Sequence, residues 1–220
     1  MTDRPIIFSG SMVRALLDGR KTQTRRILKP QPKTFRITED GVEQDAPVIL
    51  HHTESEPWPK VAIGRVITRQ EVRYRPGMRL WVREAHATSA NPDLKPWYRL
   101  DHPEATAAGP RVDVKWRPSI HMPRWASRFT LNVTAVRVER LQQISEADAM
   151  AEGMINLGGR GVPDCWWHSH DGLSRAGATA RAAFGMLWDD LHGAGAWDAN
   201  PWVVAITFGV AKRNIDEAAP

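Results

Sequence analysis

The chain of 220 residues is long enough for one large domain or one domain with insertions, and its 42% hydrophobic content excludes wholesale disorder. The formal net charge of +5 and the sequence pI near 9.7 favour a partner that carries phosphates or other negative charge, although the excess is modest for this length. Ten tryptophans supply indoles that either fill a core or stack on nucleobases.

Three features lead us to expect a soluble cytoplasmic protein without a membrane partner. The single cysteine, Cys165, excludes an intrachain disulfide and suits a reducing compartment. Residues 1–5 are polar, and the apolar run at residues 6–8 is too short for a signal peptide. No apolar stretch approaches the length that spans a membrane. Nothing in the sequence indicates the oligomeric state.

The N-terminal elements are predicted as a buried strand at residues 5–8 and a helix at residues 11–18, capped by Ser9 or Ser11. Gly19 stands where a helix ends on a left-handed residue. Residues 11–30 hold six Lys or Arg and one acid, a local excess equal to the net charge of the whole chain. Such a field favours an anionic or electron-rich ligand.

The middle of the chain is predicted to be poor in helix. Residues 33–66 are polar and are interpreted as an insertion or hairpin over the core. A turn at residues 75–78 leads into a strand at residues 79–84. Residues 87–112 are predicted as a loop with a strand-like piece at residues 97–100.

The C-terminal half has stronger patterns. Residues 128–141 alternate in polarity, and the apolar phase shifts by one residue near Ala135 and Val136, which predicts a bulge. A compact helix capped by Ser145 is predicted to end at Gly153. An insertion is predicted at residues 156–180 and a helix at residues 178–191. The apolar residues on one face of this helix are Ala183, Phe184, Leu187, Trp188 and Leu191. A buried strand is predicted at residues 202–208 and a polar tail at residues 211–220.

The candidate site consists of Lys21, Thr24 and Glu152. A Thr hydroxyl needs a base to act as a nucleophile, and a Lys serves when burial or neighbouring cations lower its pKa. Glu152 would hold Lys21 and later transfer a proton. Because Lys21 and Thr24 would point to opposite faces of a regular strand, this site requires an irregular backbone after Gly19. The alternative interpretation is a solvated basic turn with a capping Thr.

A second set of residues is proposed to contact a ligand. Arg117, Ser119, His121 and Trp125 lie in an irregular segment rich in Pro and Trp, and they would bind a base through stacking and hydrogen bonds. A structural loop pinned by its Trp residues explains them equally well. Glu84 is predicted as a second carboxylate at the site, or alternatively as a surface acid at a strand end.

No metal and no cofactor are predicted. Asp164, Cys165, His168 and His170 have the spacing Cys-x-x-His-x-His, which matches no structural zinc pattern because a second complete pair is missing. A polar loop explains these residues better. The pair at residues 51–52 is interpreted as isolated surface histidines.

Several of these stretches, in this order, resemble the ASCH domain family, relatives of the PUA fold. The resemblance lies in Gly-x-Lys-x-x-Thr-x-Arg at residues 19–26, Pro-Gly before the strand at 80–83, residues 144–154 and the final strand at 202–208. The whole chain also resembles the longer ASCH proteins of phages and prophages, through residues 119–123 and 197–202.

The resemblance implies an α+β fold: a small PUA-like β-barrel with flanking helices, in a single domain over residues 1–210 with insertions near 33–66, 87–112 and 156–180. It also implies a cleft that handles nucleic acid or nucleosides. Small bacterial ASCH proteins include amidohydrolases that remove the acetyl group from N(4)-acetylcytidine.

The family's site residues carry over to Lys21, Thr24 and Glu152, with Arg26 as the signature arginine. The leading hypothesis is an amidohydrolase of N(4)-acylated cytosine nucleosides, in which Thr24 attacks, Lys21 activates it, and Glu152 orients Lys21. Arg26 and the loop at residues 117–125 would contact the ligand. A module that binds RNA or a modified base without turnover, and a ribonuclease, remain as alternatives because fold alone does not settle activity.

Overall fold

The computed structural model describes residues 3–39, 42–52, 62–66, 72–88, 95–102, 115–158, 165–167 and 177–217. The strands are β1 (Asp3–Ile7), β2 (Gln23–Ile27), β3 (Lys33–Glu39), β4 (Val42–His52), β5 (Ala62–Val66), β6 (Arg79–Arg83), β7 (His86–Ala87), β8 (Trp97–Tyr98), β9 (Thr130–Arg140), β10 (Ile155–Asn156), β11 (Trp166–Trp167) and β12 (Trp202–Ala211). The helices are α1 (Gly10–Leu17), α2 (Glu146–Ala151) and α3 (Ala180–His192). The predicted α+β class is confirmed.

A five-stranded sheet in the order β1-β6-β9-β12-β2 forms the centre of the fold. β1 is parallel to β6, and the other three pairs are antiparallel. In the long β9–β12 ladder, Thr207 pairs with Ala135 while Phe208 pairs with Val133. Thr134 is therefore the extra residue of a bulge, one position before the predicted place.

The PUA-like closed barrel is not confirmed. Closure requires a backbone ladder between the edge strands, and within the described ranges β1 and β2 are edges that do not pair with each other. The two edges are joined instead by a side chain, since Arg26 donates from Nη2 to the carbonyl oxygen of Ile7 at 2.9 Å.

Hydrophobic residues pack on both faces of the sheet. On one face, α1 buries Val13 and Leu16 against the sheet, and on the other, α3 buries Phe184 and Trp188. The central strand β12 serves both cores, because Val203 belongs to the second cluster and its neighbours Val204, Ile206 and Phe208 belong to the first. The run of buried residues predicted for this strand is confirmed.

Helix α3 buries four of the five apolar residues predicted for its inner face: Ala183, Phe184, Leu187 and Trp188. Leu191 was predicted wrongly, since it is 48% exposed in the last turn of the helix. Among the described residues, no helix combines the length and the apolar composition needed to cross a membrane.

The segments interpreted as insertions contain regular structure. β3, β4 and β5 form a three-stranded antiparallel sheet. β7 pairs with β8, which lies in the predicted loop at residues 87–112. Short 3-10 turns occur at Arg99–Asp101, Ser119–His121, Arg124–Ala126 and Leu141–Gln143.

The described part of the predicted polar tail is packed against the domain. Ile215 is buried, and the side-chain amide of Asn214 donates to the carbonyl oxygens of Arg124, Trp125 and Ser127. These three bonds fix the end of the loop that was predicted to present side chains.

Gly153 ends α2 in a conformation that other residues avoid. Its φ is +105°, and a Cβ placed there would lie 2.8 Å from the Cβ of Ala15. We expect Gly153→Ala to lower the free energy of unfolding by about 2 kcal/mol or more, because both the backbone and the contact become strained. Urea denaturation measures the change.

The matched control is Gly209→Ala, in β12, where a Cβ meets no atom within 4 Å. This control is expected to change stability by no more than about 0.5 kcal/mol. Equal stabilities of the Gly153→Ala and Gly209→Ala variants would contradict the close packing of α2 against α1.

Candidate active site

The backbone after α1 has the irregular course that the candidate site requires. Gly19 has a φ of +73°, and the amides of Arg20 and Lys21 both donate to the carbonyl oxygen of Ala15, at 2.9 and 3.1 Å. Thr22 donates from its amide to the carbonyl oxygen of Ala151 at the end of α2. The chain therefore enters β2 only at Gln23, and the side chain of Lys21 turns into the interior.

Glu152 meets Lys21 at the C-terminal end of α2. The Lys21 Nζ donates to the Glu152 Oε2 and to the Glu152 carbonyl oxygen, both at 2.8 Å. The pair is shielded from solvent, since Lys21 is 0% and Glu152 4% exposed. The left-handed Gly153 follows directly, and its carbonyl oxygen accepts a hydrogen bond from Arg20. Lys21 and Glu152 each lie next to the end of a helix that a glycine terminates, and their charged groups therefore meet in the protein interior.

Arg25 holds the other oxygen of the same carboxylate. Its Nη1 donates to the Glu152 Oε1 at 3.1 Å and to the Gln23 Oε1 at 2.7 Å. Its Nε and Nη2 bind Glu139 Oε1, and Nη2 also binds Asp148 Oδ2 at 3.2 Å. The Arg25 side chain has no exposed surface. Each carboxylate around it is thereby compensated.

The neighbouring strands explain how this cluster forms. β12 lies between β2 and β9, and its Ala205 pairs with Arg25 on one side and with Arg137 on the other. A methyl group at this position leaves room for Arg25 to reach Glu139 on β9. Arg137 then closes the network by binding Asp148 at 2.7 Å and Glu139 at 3.3 Å.

Charges and burial shift the acid–base properties of this cluster. Burial lowers the pKa of Lys21 below its ordinary value of 10.5, and Arg26 and Arg25 lower it further, against the opposing effect of Glu152. Burial acts to raise the pKa of Asp148, but the hydrogen bond from Gln23 and the charges of Arg137 and Arg25 outweigh it, so the pKa is lowered. The direction for Lys21 is the one a general base needs.

Thr24 is linked to the cluster through Arg26. The Thr24 hydroxyl is buried and accepts a hydrogen bond from Arg26 Nη1 at 2.9 Å, while its own proton stays available to a base. Arg26 and Lys21 both lie over the ring of Phe8, 5.3 and 5.4 Å from its centroid. The structure thus gathers Lys21, Thr24, Arg26 and Glu152 in one region, although no direct hydrogen bond joins Lys21 to Thr24.

The other predicted contact residues lie elsewhere. Arg117, His121 and Trp125 are exposed, with Trp125 at 57%, and Ser119 is half-buried. None of the four has a hydrogen bond or ion pair with Lys21, Thr24 or Glu152. The role of these four residues in binding a base stays a prediction.

Glu84 is buried in a different ion pair. Arg128 donates from Nε and Nη2 to its two oxygens, each at 2.8 Å, and also reaches Asp101. Burial raises the pKa of Glu84, while Arg128 opposes the shift. The carboxylate is therefore engaged by Arg128 rather than placed beside Lys21.

The residues weighed as metal ligands in the sequence lie mostly outside the described part of the chain. Asp164, His168 and His170 lie outside the described residues, as do the side chains of His51 and His52. Cys165 is described and half-buried. In the part of the chain that the structure describes, no group of three or more His, Cys, Asp or Glu is placed to hold a metal ion.

A cavity of about 570 Å³ lies beside Arg26. Its size falls in the range of small-molecule sites. Lys21, Thr24 and Glu152 do not line it, so Arg26 is the residue that contacts both the cavity and the Thr24 hydroxyl.

Comparisons with protein-family models, with curated proteins and with solved structures found no match. The resemblance to the ASCH family therefore stays a prediction carried by the motifs.

Arg25 and Arg137 bind the same two acids but differ in burial, with exposures of 0% and 42% for their side chains. We expect Arg25→Met to lower the free energy of unfolding by about 3–5 kcal/mol, because it leaves buried carboxylates without a partner. Arg137→Met should cost no more than about 1 kcal/mol.

Urea denaturation of both variants at neutral pH measures this difference. Equal losses of stability in the two variants would contradict the expectation that removing the buried Arg25 is more destabilising than removing Arg137.

Proposed function

We propose that this chain is an ASCH-type amidohydrolase with a PUA-like fold that acts on N(4)-acylated cytosine nucleosides. The observation that carries the proposal is the buried 2.8 Å bond between Lys21 and Glu152, which are 131 positions apart in sequence. The signature threonine is bound in the same region to the signature arginine, Arg26. These are the residue types, in one place, that the activity requires.

In the first step, the neutral amine of Lys21 takes the proton of the Thr24 hydroxyl, and Oγ forms a bond to the acyl carbonyl carbon. The C–N bond then breaks, and the leaving N(4) takes a proton from the Lys21 ammonium to give cytidine. Glu152 orients Lys21 and helps in this proton transfer. Arg26 lies where negative charge on the Thr24 oxygen or the carbonyl oxygen is stabilised.

In the second step, water hydrolyses the ester on Thr24. Lys21 takes a proton from the water, the acyl group leaves as a carboxylic acid, and Thr24 regains its proton. Thr24 is 1% exposed in the structure. The substrate therefore has to replace the Arg26 side chain at the hydroxyl, since Arg26 is the contact between Thr24 and the cavity.

The first test is hydrolysis of N(4)-acetylcytidine by the wild type, Thr24→Val and Lys21→Ala. Both variants should lose about 10³-fold or more in kcat, because the nucleophile or its base is missing. Thr24→Ser keeps a hydroxyl and should retain measurable turnover. Circular dichroism and thermal unfolding confirm that each variant is folded.

Turnover that survives in Thr24→Val would remove Thr24 from the mechanism. A folded wild type that does not hydrolyse the compound would contradict the assigned substrate.

The pH dependence of kcat/KM tests the role of Lys21. The active form has a neutral amine, so the rate should rise with pH through the pKa of Lys21, which lies below 10.5 in the folded protein. A rate that falls as pH rises through the neutral and alkaline range, in a protein that stays folded, would contradict Lys21 as the base.

A second candidate is a module that binds RNA or a modified base without turnover. The near-complete burial of Lys21 and Thr24 favours it, because neither group is open to a ligand in this structure. If phosphate contacts dominate binding, the affinity for nucleic acid would fall steeply as the salt concentration rises. The rate of hydrolysis of an uncharged nucleoside would not. Salt titration of binding and of turnover separates the two functions.

A further inference from the structure

The cavity beside Arg26 is lined by residues of two kinds. Its walls include the apolar side chains of Ile27, Leu28, Val72 and Val204, and its polar lining consists of Arg26, Lys29, Arg73, Tyr74 and His192. Three of these residues carry a full positive charge at neutral pH, and the lining that the structure describes contains no Asp or Glu. An apolar wall beside concentrated positive charge is the pattern of a site for a mostly apolar ring that bears an anion.

Several cations outside this cavity are held by acidic side chains. Arg79 pairs with Asp3, and Arg128 pairs with Glu84 and Asp101. Lys29 and Arg73 are exposed and form no ion pair with the described carboxylates. Among the described residues, no acidic side chain neutralises these two charges, so an anionic ligand would supply their partner.

Arg26 likewise forms no ion pair with a carboxylate of the described residues. Its hydrogen bonds go to three neutral oxygens: the Thr24 hydroxyl and the carbonyls of Arg25 and Ile7. The positive charge of the cavity also acts on His192. Burial lowers the pKa of its imidazole, and the charges of Arg26 and Lys29 lower it further. The ring of His192 is held against Trp188 with centroids 4.3 Å apart.

We propose that this cavity is a phosphate-recognising subsite, so that the substrate is a cytidine bearing a phosphate ester rather than a free nucleoside. The identity of the base rests on the proposed function, whereas the phosphate subsite rests on the lining of the cavity. Arg26 connects the two, with the acylated base at Thr24 and the phosphate toward Lys29, Arg73 and His192. A Lys and an Arg at the surface match a phosphate through charge-assisted hydrogen bonds.

Isothermal titration calorimetry at fixed ionic strength tests the subsite with ligands that are not hydrolysed: cytidine, cytidine 5′-monophosphate and a six-residue oligocytidylate. We expect the monophosphate to bind at least about tenfold more tightly than cytidine. The double variant Lys29→Gln with Arg73→Gln should reduce that ratio to near one. The matched control, Arg14→Gln with Lys95→Gln, removes the same charge from exposed positions outside the cavity and should keep the ratio.

Equal affinities for all three ligands, or an equal loss in the control variant, would overturn the proposal. Tight binding of the oligocytidylate alone, abolished by the Lys29 and Arg73 substitutions, would support the subsite and assign the phosphates to a nucleic-acid chain. The same substitutions leave Thr24, Lys21 and Glu152 in place.

Hydrolysis of N(4)-acetylcytidine and of its 5′-monophosphate separates this proposal from the proposed function. A phosphate preference in binding without any turnover would leave the subsite standing and remove the amidohydrolase. Turnover of both compounds with equal kcat/KM, unchanged in the Lys29 and Arg73 variant, would remove the subsite and leave the amidohydrolase.

Discussion

The buried carboxylate of Glu152, held by Lys21 on one oxygen and by Arg25 on the other, is the interaction on which the structure of the site depends. An ionised carboxylate without partners in a water-free interior is costly, and two cations at hydrogen-bonding distance offset that cost. Because each partner comes from a different part of the chain, the bridge forms only when α1, β2 and α2 are in their final places. The geometry of the site and the packing of the fold are therefore coupled.

The same cluster relates stability to chemistry. Burial lowers the pKa of Lys21, the charges of Arg26 and Arg25 lower it further, and the carboxylate of Glu152 opposes this shift by favouring the ammonium. At a given pH, a lysine with a lowered pKa is neutral in a larger fraction of molecules than a lysine in water, and its ammonium gives up a proton more readily. The Thr24 hydroxyl is buried, and Arg26, which binds it, lines the cavity.

Local patterns predicted the elements that frame the site. The cap at Ser145 and the glycines at 19 and 153 mark helix ends that depend on adjacent residues alone, and all three have the expected conformation. The alternation along residues 128–141 predicted both β9 and, within one residue, its bulge. Local patterns could not predict whether the PUA-like barrel closes, since closure depends on how edge strands that are distant in sequence pair.

Side-chain partners were harder to predict, because they depend on the order of strands in the sheet. The pairing of Lys21 with Glu152 was proposed from the chemistry of the two side chains and from the family resemblance, since no local pattern relates residues 131 positions apart. Arg25 was missed because its carboxylate partners come from two distant elements, β9 and α2, and it reaches β9 past the small Ala205 of β12. Glu84 was assigned to the ligand, but the fold places Arg128 against it.

The most direct measurement is rapid mixing of the protein with N(4)-acetylcytidine, followed by acid quench and peptide mass spectrometry. The predicted result is a transient acetyl group on the peptide that contains Thr24, located at Thr24 by fragmentation and absent from the Lys21→Ala variant. Cytidine release with no acetyl group on Thr24 at any time, or with the acetyl group on another residue, would contradict the central claim that Thr24 is the nucleophile.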